Sequence, residues 1–275
     1  MNRLSLILAV LMPCGAFWLA HRGVADMPSR VNALGHPLRL RVEGAGSPTV
    51  VLEIGLGGML EEWAAVQPEV ARFTRVAAYD RIGSRHSEGA VTGEEIAREL
   101  HAALENAGLE PPYVLVGQSF GGIYNRLFAS MYPDEVVGLV LLDPSQEDFI
   151  AWMNVHHPDK DIRRNDLKDW PEAAGITATL SQLEAAGPLP QVPTIVVTAT
   201  RHDEDSFCRQ LLPAWTESHK AFVKTLRQGR HVLAPESGHG VHVEASELVV
   251  DLICEVVQQA RDAETANYSA LRGQL

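Results

Sequence analysis

The chain has 275 residues, 46% of them hydrophobic and 21% charged, and a formal net charge of −12. That composition excludes a disordered chain. The acidic balance argues against nucleic acid or anionic lipid as a partner, since both require clustered Lys and Arg; it suits a small-molecule substrate, and a monomer is the simplest oligomeric expectation.

Arg3 precedes an apolar run over residues 4–20, and His21-Arg22 follows it. A basic start and a run of this length read as a signal peptide or N-terminal anchor over residues 1–25. Pro13 and Gly15 favour a cleaved signal, and Gly23-Val24-Ala25 offers a small-residue cleavage site. Export to the periplasm or beyond is the expectation, with membrane contact only through this leader. Cys208 and Cys254, the two cysteines besides Cys14, would then either pair or remain as two buried thiols.

Residues 26–275 read as one domain in which strand-like and helix-like stretches alternate. Residues 38–42 alternate apolar and polar, as an edge strand does. Apolar, β-branched runs at 49–54, 75–80, 113–116, 136–142 and 194–198 read as buried strands, and 230–233 as a last one. Helical patterns occupy 61–73, 93–107 (capped by Thr92), 120–131 and 244–260. This order predicts an α/β fold with a mostly parallel central sheet covered by helices. Residues 145–191 interrupt the alternation. The stretch is too long for a plain connection, carries Phe149, Trp152 and Trp170, and is helical over 176–186, which predicts a helical lid.

Gly117-Gln118-Ser119-Phe120-Gly121-Gly122 falls between a strand and a helix. Such a turn places a serine in a strained backbone conformation at the sheet's edge, with small residues two positions away on either side. Ser119 is therefore the expected nucleophile, and the Phe120 N–H an oxyanion donor. A serine hydroxyl requires a base. His239, within Ser237-Gly238-His239-Gly240 after the last strand, is favoured over His231, inside that strand, and over His242, nearer the closing helix. The acid is expected in the loop after the strand at 194–200, with Asp203 first and Glu204 and Asp205 as alternatives. A second location is Asp143 at the end of the strand 136–142, with Glu147 and Asp148 just beyond. Gly55-Leu56-Gly57-Gly58 supplies the second oxyanion donor through Leu56 N–H. The loop lacks the third glycine of a dinucleotide fingerprint, and no Cys/His set has metal-site spacing, so neither cofactor nor metal is expected.

With these motifs the chain resembles the α/β-hydrolase superfamily over residues 31–259. It looks most like the branch of bacterial esterase-like serine hydrolases carrying Leu52-Glu53-Ile54-Gly55-Leu56-Gly57-Gly58, Tyr79-Asp80-Arg81-x-Gly83 and Val116-Gly117-Gln118-Ser119-Phe120-Gly121-Gly122. The resemblance implies Ser119 as nucleophile, His239 as base and the Leu56 and Phe120 amides as oxyanion donors. It departs at Ile54 and Gln118, where many members carry His, and at Ser84-Arg85-His86-Ser87. These positions bear on substrate more than on mechanism. The implied activity is hydrolysis of a carboxylic ester, lactone or thioester; an amidase, aminopeptidase or acyltransferase would use the same triad. A non-catalytic binding module would predict a damaged one.

Overall fold

The computed structural model describes residues 28–81, 90–157, 171–201 and 206–272. The stretch 1–25, read above as a signal or anchor, lies outside them. Among the described residues no helix is long and apolar enough to cross a membrane.

The described strands are β1 (Ser29–Ala33), β2 (His36–Glu43), β3 (Thr49–Glu53), β4 (Val76–Asp80), β5 (Tyr113–Gln118), β6 (Val136–Leu142), β7 (Thr194–Ala199) and β8 (Gly229–Ala234). They form one sheet in the order β1-β2-β4-β3-β5-β6-β7-β8. β2 runs antiparallel to β1 and β4, and every pairing from β4 through β3 to β8 is parallel. The expected α/β class therefore holds, with one correction at the edge. The alternating strand at 38–42 is second in the sheet, because β1 pairs outside it. Leu34 (φ 52°) and Gly35 (φ 98°) form the two-residue turn between them, whose positive φ values match the twist of the flanking strands.

The helices are α1 (Gln67–Val70), α2 (Gly93–Asn106), α3 (Gly121–Met131), α4 (Glu147–His156), α5 (Pro171–Ala185), α6 (Ser206–Lys224), α7 (Val241–Glu244) and α8 (Ser246–Arg272). The single helix expected at 61–73 is a 3-10 turn, Leu60–Trp63, followed by α1. Pro68 explains the break: it has no N–H to continue the ladder, so it sits in the first turn of a new helix. Helix α2 has the expected cap, with Glu95 Oε2 accepting from Thr92 N–H at 2.8 Å.

Two cores sandwich the sheet. On one face Val50, Leu52, Val116, Val140 and Val197 meet Trp63 and the Val249, Ile253 and Val256 stripe of α8. On the other, Val51, Leu115 and Leu139 meet Leu100 and Leu104 of α2 and Phe128 of α3. Strands β3 and β5 are buried end to end, which is why their sequences are continuous apolar runs without alternation. Helices α4 and α5 lie in the insertion between β6 and β7. Cys254, on α8, is a free and exposed thiol, contrary to either a pairing or a buried position.

Candidate active site

Strand β5 delivers Ser119 to the carboxyl edge of the sheet, and α3 begins two residues later. Ser119 has φ 55°, in the left-handed region that costs a side-chain-bearing residue about 1–2 kcal/mol. Three backbone hydrogen bonds hold it there: its N–H donates to Leu142 O, and its carbonyl accepts from Gly122 N–H and Ser145 N–H, each at 3.0 Å. The close approach of α3 to β3 requires glycine at 121, where a Cβ would stand 2.7 Å from the carbonyl oxygens of Glu53 and Ile54.

His239 lies between β8 and α7. Its Nδ1 is 2.7 Å from Asp143 Oδ2. A carboxylate only accepts, so Nδ1 donates this bond. Gln118, just before the serine, donates from Nε2 to the His239 carbonyl at 3.0 Å, tying the elbow to the histidine loop.

Asp143 directly follows β6, has φ 44° and is almost completely buried. Its other oxygen, Oδ1, accepts from Trp215 Nε1–H at 2.7 Å and Ala199 N–H at 3.0 Å. Burial pushes its carboxyl up. The hydrogen bond and charge of His239, together with His219 and the Trp215 indole, outweigh burial and hold it below the usual Asp value. Behind the acid, His219 Nε2 donates to Pro144 O at 2.7 Å. Its Nδ1 then accepts from Thr198 Oγ1–H at 2.6 Å, and Thr198 Oγ1 accepts from His231 Nε2–H at 2.7 Å. Burial lowers the His219 pKa, consistent with this neutral tautomer.

The Gly55–Gly58 loop passes beside the elbow; a Cβ on Gly55 would lie 3.1 Å from Ser119 Cβ. Among the described residues, neither Leu56 N–H nor Phe120 N–H donates to a protein acceptor. Arg81, from the segment after β4, is buried beneath this loop. It donates to the carbonyls of Ile54 and Gly55, each at 2.6 Å. Among the described residues, Glu53 of β3 and Glu172 of α5 pair with it.

Of the residues singled out in the sequence, Ser119, Phe120, Leu56 and His239 gather at this edge. Asp203, with Glu204 and Asp205, lies outside the described residues. The carboxylate hydrogen-bonded to the His239 imidazole is Asp143, from the alternative location. Glu147 is engaged instead by Arg126 through two hydrogen bonds of 2.7 and 2.6 Å, and Asp148 by Ser218. His242 is buried against Trp63, with ring centroids 4.8 Å apart. Sequence reasoning did not anticipate Arg81, Glu172, Trp215 or His219. A signal existed for Asp143: it directly follows the fully apolar strand β6 and precedes a proline, an abrupt polar stop at a sheet edge.

Comparison with known proteins agrees with this architecture. The family model for the alpha/beta hydrolase fold matches residues 48–194, more than half of the chain. The uncharacterized protein YqjL of Bacillus subtilis (strain 168) is 25% identical over 228 residues, covering 79% of this chain and 88% of that protein. A putative carbamate hydrolase, RutD, of Cronobacter turicensis is 31% identical over 113 residues, or 38% of this chain and 42% of its own length. Among solved structures, a thermophilic esterase from Thermogutta terrifontis superposes with a TM-score of 0.60 at 22% identity, covering 85% of this chain and 98% of that one. A serine hydrolase involved in carbazole degradation, CarC, gives 0.58 at 20% identity, covering 84% and 98%. At these identities the structural likeness speaks for the fold alone. With the family match spanning the sheet from β3 to the start of β7, the chain belongs to the alpha/beta hydrolase fold family.

Proposed function

We propose that this protein is a serine hydrolase that cleaves a carboxylic ester, lactone or thioester of a small, largely apolar substrate, with Ser119 as nucleophile, His239 as base and Asp143 as acid. The observation that carries the proposal is the pairing of a left-handed Ser119 at a strand–helix turn with an imidazole whose Nδ1 is held 2.7 Å from a buried carboxylate. Ser119 Oγ attacks the carbonyl carbon while His239 Nε2 takes its proton. The carbonyl oxygen becomes an oxyanion, and the Leu56 and Phe120 N–H groups, which have no acceptor among the described residues, receive it. His239 returns the proton to the leaving oxygen or sulfur, the acyl group remains on Ser119, and a water activated by His239 releases the acid. Asp143 stays ionised throughout and stabilises the imidazolium.

An apolar substrate is supported by Phe149, Trp152 and Trp215, which cluster beside the acid. The Trp215 ring lies 6.4 Å from that of His239. In this reading α4 and α5 are the described parts of a lid. A fluorophosphonate probe is expected to label Ser119 and to leave the S119A variant unlabelled. S119A is expected to lose at least about a thousandfold in kcat/KM on a p-nitrophenyl ester. Full activity in that variant would end the proposal. The substrate panel should include carbamates alongside esters, lactones and amides, given the similarity to proteins named as carbamate hydrolases.

A further inference from the structure

The loop that carries Leu56 is held from below by an arrangement the proposed chemistry does not itself require. Arg81, Glu53 and Glu172 have side chains only 1% exposed. Arg81 Nε and Nη2 each donate to Glu172, at 3.0 Å, in a two-pronged pair. Glu172 Oε2 also accepts from Gly57 N–H at 3.2 Å. Glu53 binds the remaining arm of the guanidinium and the Tyr79 hydroxyl. The Tyr124 ring covers the guanidinium carbon at 5.1 Å.

Three buried charges are a poor means of gaining stability, because desolvation offsets most of their attraction. What they hold is a direction. The Gly55 carbonyl and the Leu56 N–H belong to one planar peptide group, and in a trans peptide they point opposite ways. Arg81 fixes the carbonyl end at 2.6 Å, and fixes the preceding carbonyl, of Ile54, at the same distance. The Leu56 N–H is thereby aimed away from Arg81. The planar guanidinium can grip two successive carbonyls only if its own plane is set, and Glu172 sets it. Glu172 comes from α5, far along the chain from the loop.

We infer that Arg81 and Glu172 are positioning residues for the oxyanion site: Arg81 orients the Leu56 N–H, and Glu172, from the insertion, orients Arg81. The inference rests on the serine-hydrolase reading above. It makes the insertion part of the machinery that stabilises the transition state as well as a cover over it. Substrate binding should be little affected, because neither side chain is placed to reach a ligand directly.

The test compares wild type with R81K, which keeps the charge but loses the fork, and E172Q, which keeps the shape but loses the charge. Steady-state kinetics on a p-nitrophenyl ester are paired with the affinity of an aryl boronate, whose tetrahedral adduct on Ser119 places an oxygen in the oxyanion site. Each variant should lose about 10- to 100-fold in kcat, less than deletion of a donor outright, with KM within about threefold of wild type. Boronate affinity should fall in proportion to kcat. The double variant should lose less than the product of the two single losses, because Glu172 acts partly through Arg81 and partly through its own bond to Gly57 N–H. Unchanged kcat, a rise confined to KM, or a kcat loss with unchanged boronate affinity would each overturn the inference. Should a variant fail to fold, the wild-type boronate adduct decides by crystallography. A boronate oxygen within hydrogen-bond reach of Leu56 N–H supports the inference, and one bound elsewhere refutes it. If wild-type Ser119 resists the fluorophosphonate probe, the hydrolase reading itself has failed. If it reacts and the variants behave as wild type, only the positioning role has.

Discussion

At the scale of single residues, the choice of carboxylate separates two strand ends that a sequence cannot distinguish. β6 and β7 are parallel neighbours and end side by side, so an acid at either end could face the histidine loop. Asp143 lies on the imidazole because φ 44° turns its side chain there and Trp215 and Ala199 hold its second oxygen. Trp215 sits on α6, a helix the sequence reading did not mark, so its indole gave no prior sign of this role. Ser119 and His239 were legible because small neighbours surround each. Arg81 stood in a recognisable motif, yet nothing local showed that its partner would be Glu172. The expected consequence is specific. D143N should lower kcat by about a thousandfold or more, since the imidazole loses both its orientation and the charge that stabilises its protonated form. D203N should leave kcat within about twofold. The reverse result, read from kcat/KM on one ester, would return the acid to the loop after β7.

At the scale of elements, the strands were legible and the interruptions were not. Continuous apolar runs marked β3, β5, β6 and β7, since a strand covered on both faces has no polar side to show. β1 is hidden from pattern reading because Ser29, Arg30 and Asn32 are exposed at the sheet's edge, so its sequence is mostly polar. The break between the 3-10 turn and α1 was missed because hydrophobic spacing continues across it while Pro68 ends the hydrogen-bond ladder. Packing between elements also sets limits that no pattern reveals. Gly138 of β6 faces Val256 of α8 with no room for a methyl group. G138A should therefore destabilise the fold by about 1–3 kcal/mol in urea unfolding. V256A in the same chain should recover part of that loss by vacating the space.

At the scale of the whole molecule, two buried groups tie stability to pH with opposite signs. Burial pushes Glu53 up to about 7, beyond what Arg81 and Tyr79 pull back. A raised carboxyl contributes stability below its unfolded value, near 4.5, and loses that contribution as pH rises through about 7. His219 is lowered by burial, so its contribution is complete above the ordinary histidine value, about 6.5, and declines as pH falls below it. E53Q, which mimics the protonated carboxyl, should therefore gain relative to wild type as denaturation is moved from pH 5 to pH 8. A stability difference between the two proteins that stays constant over that range would show that Glu53 does not titrate there. Asp143 acts only at lower pH: its depressed value means its contribution is present above the usual Asp range and disappears as pH falls through it.

The chain from Asp143 into α4 is pinned at each step: Pro144 by His219, Ser145 by the serine's own carbonyl, Gln146 and Glu147 by Arg126. A continuous set of hydrogen bonds thus joins Asp143 to the entrance of the insertion. A swing of the insertion that pivoted beyond Glu147 would leave all of these bonds intact. In the reaction proposed above, a substrate admitted by such a movement would meet a histidine already aligned by its carboxylate, and opening would change access while leaving the proton-transfer geometry as it is.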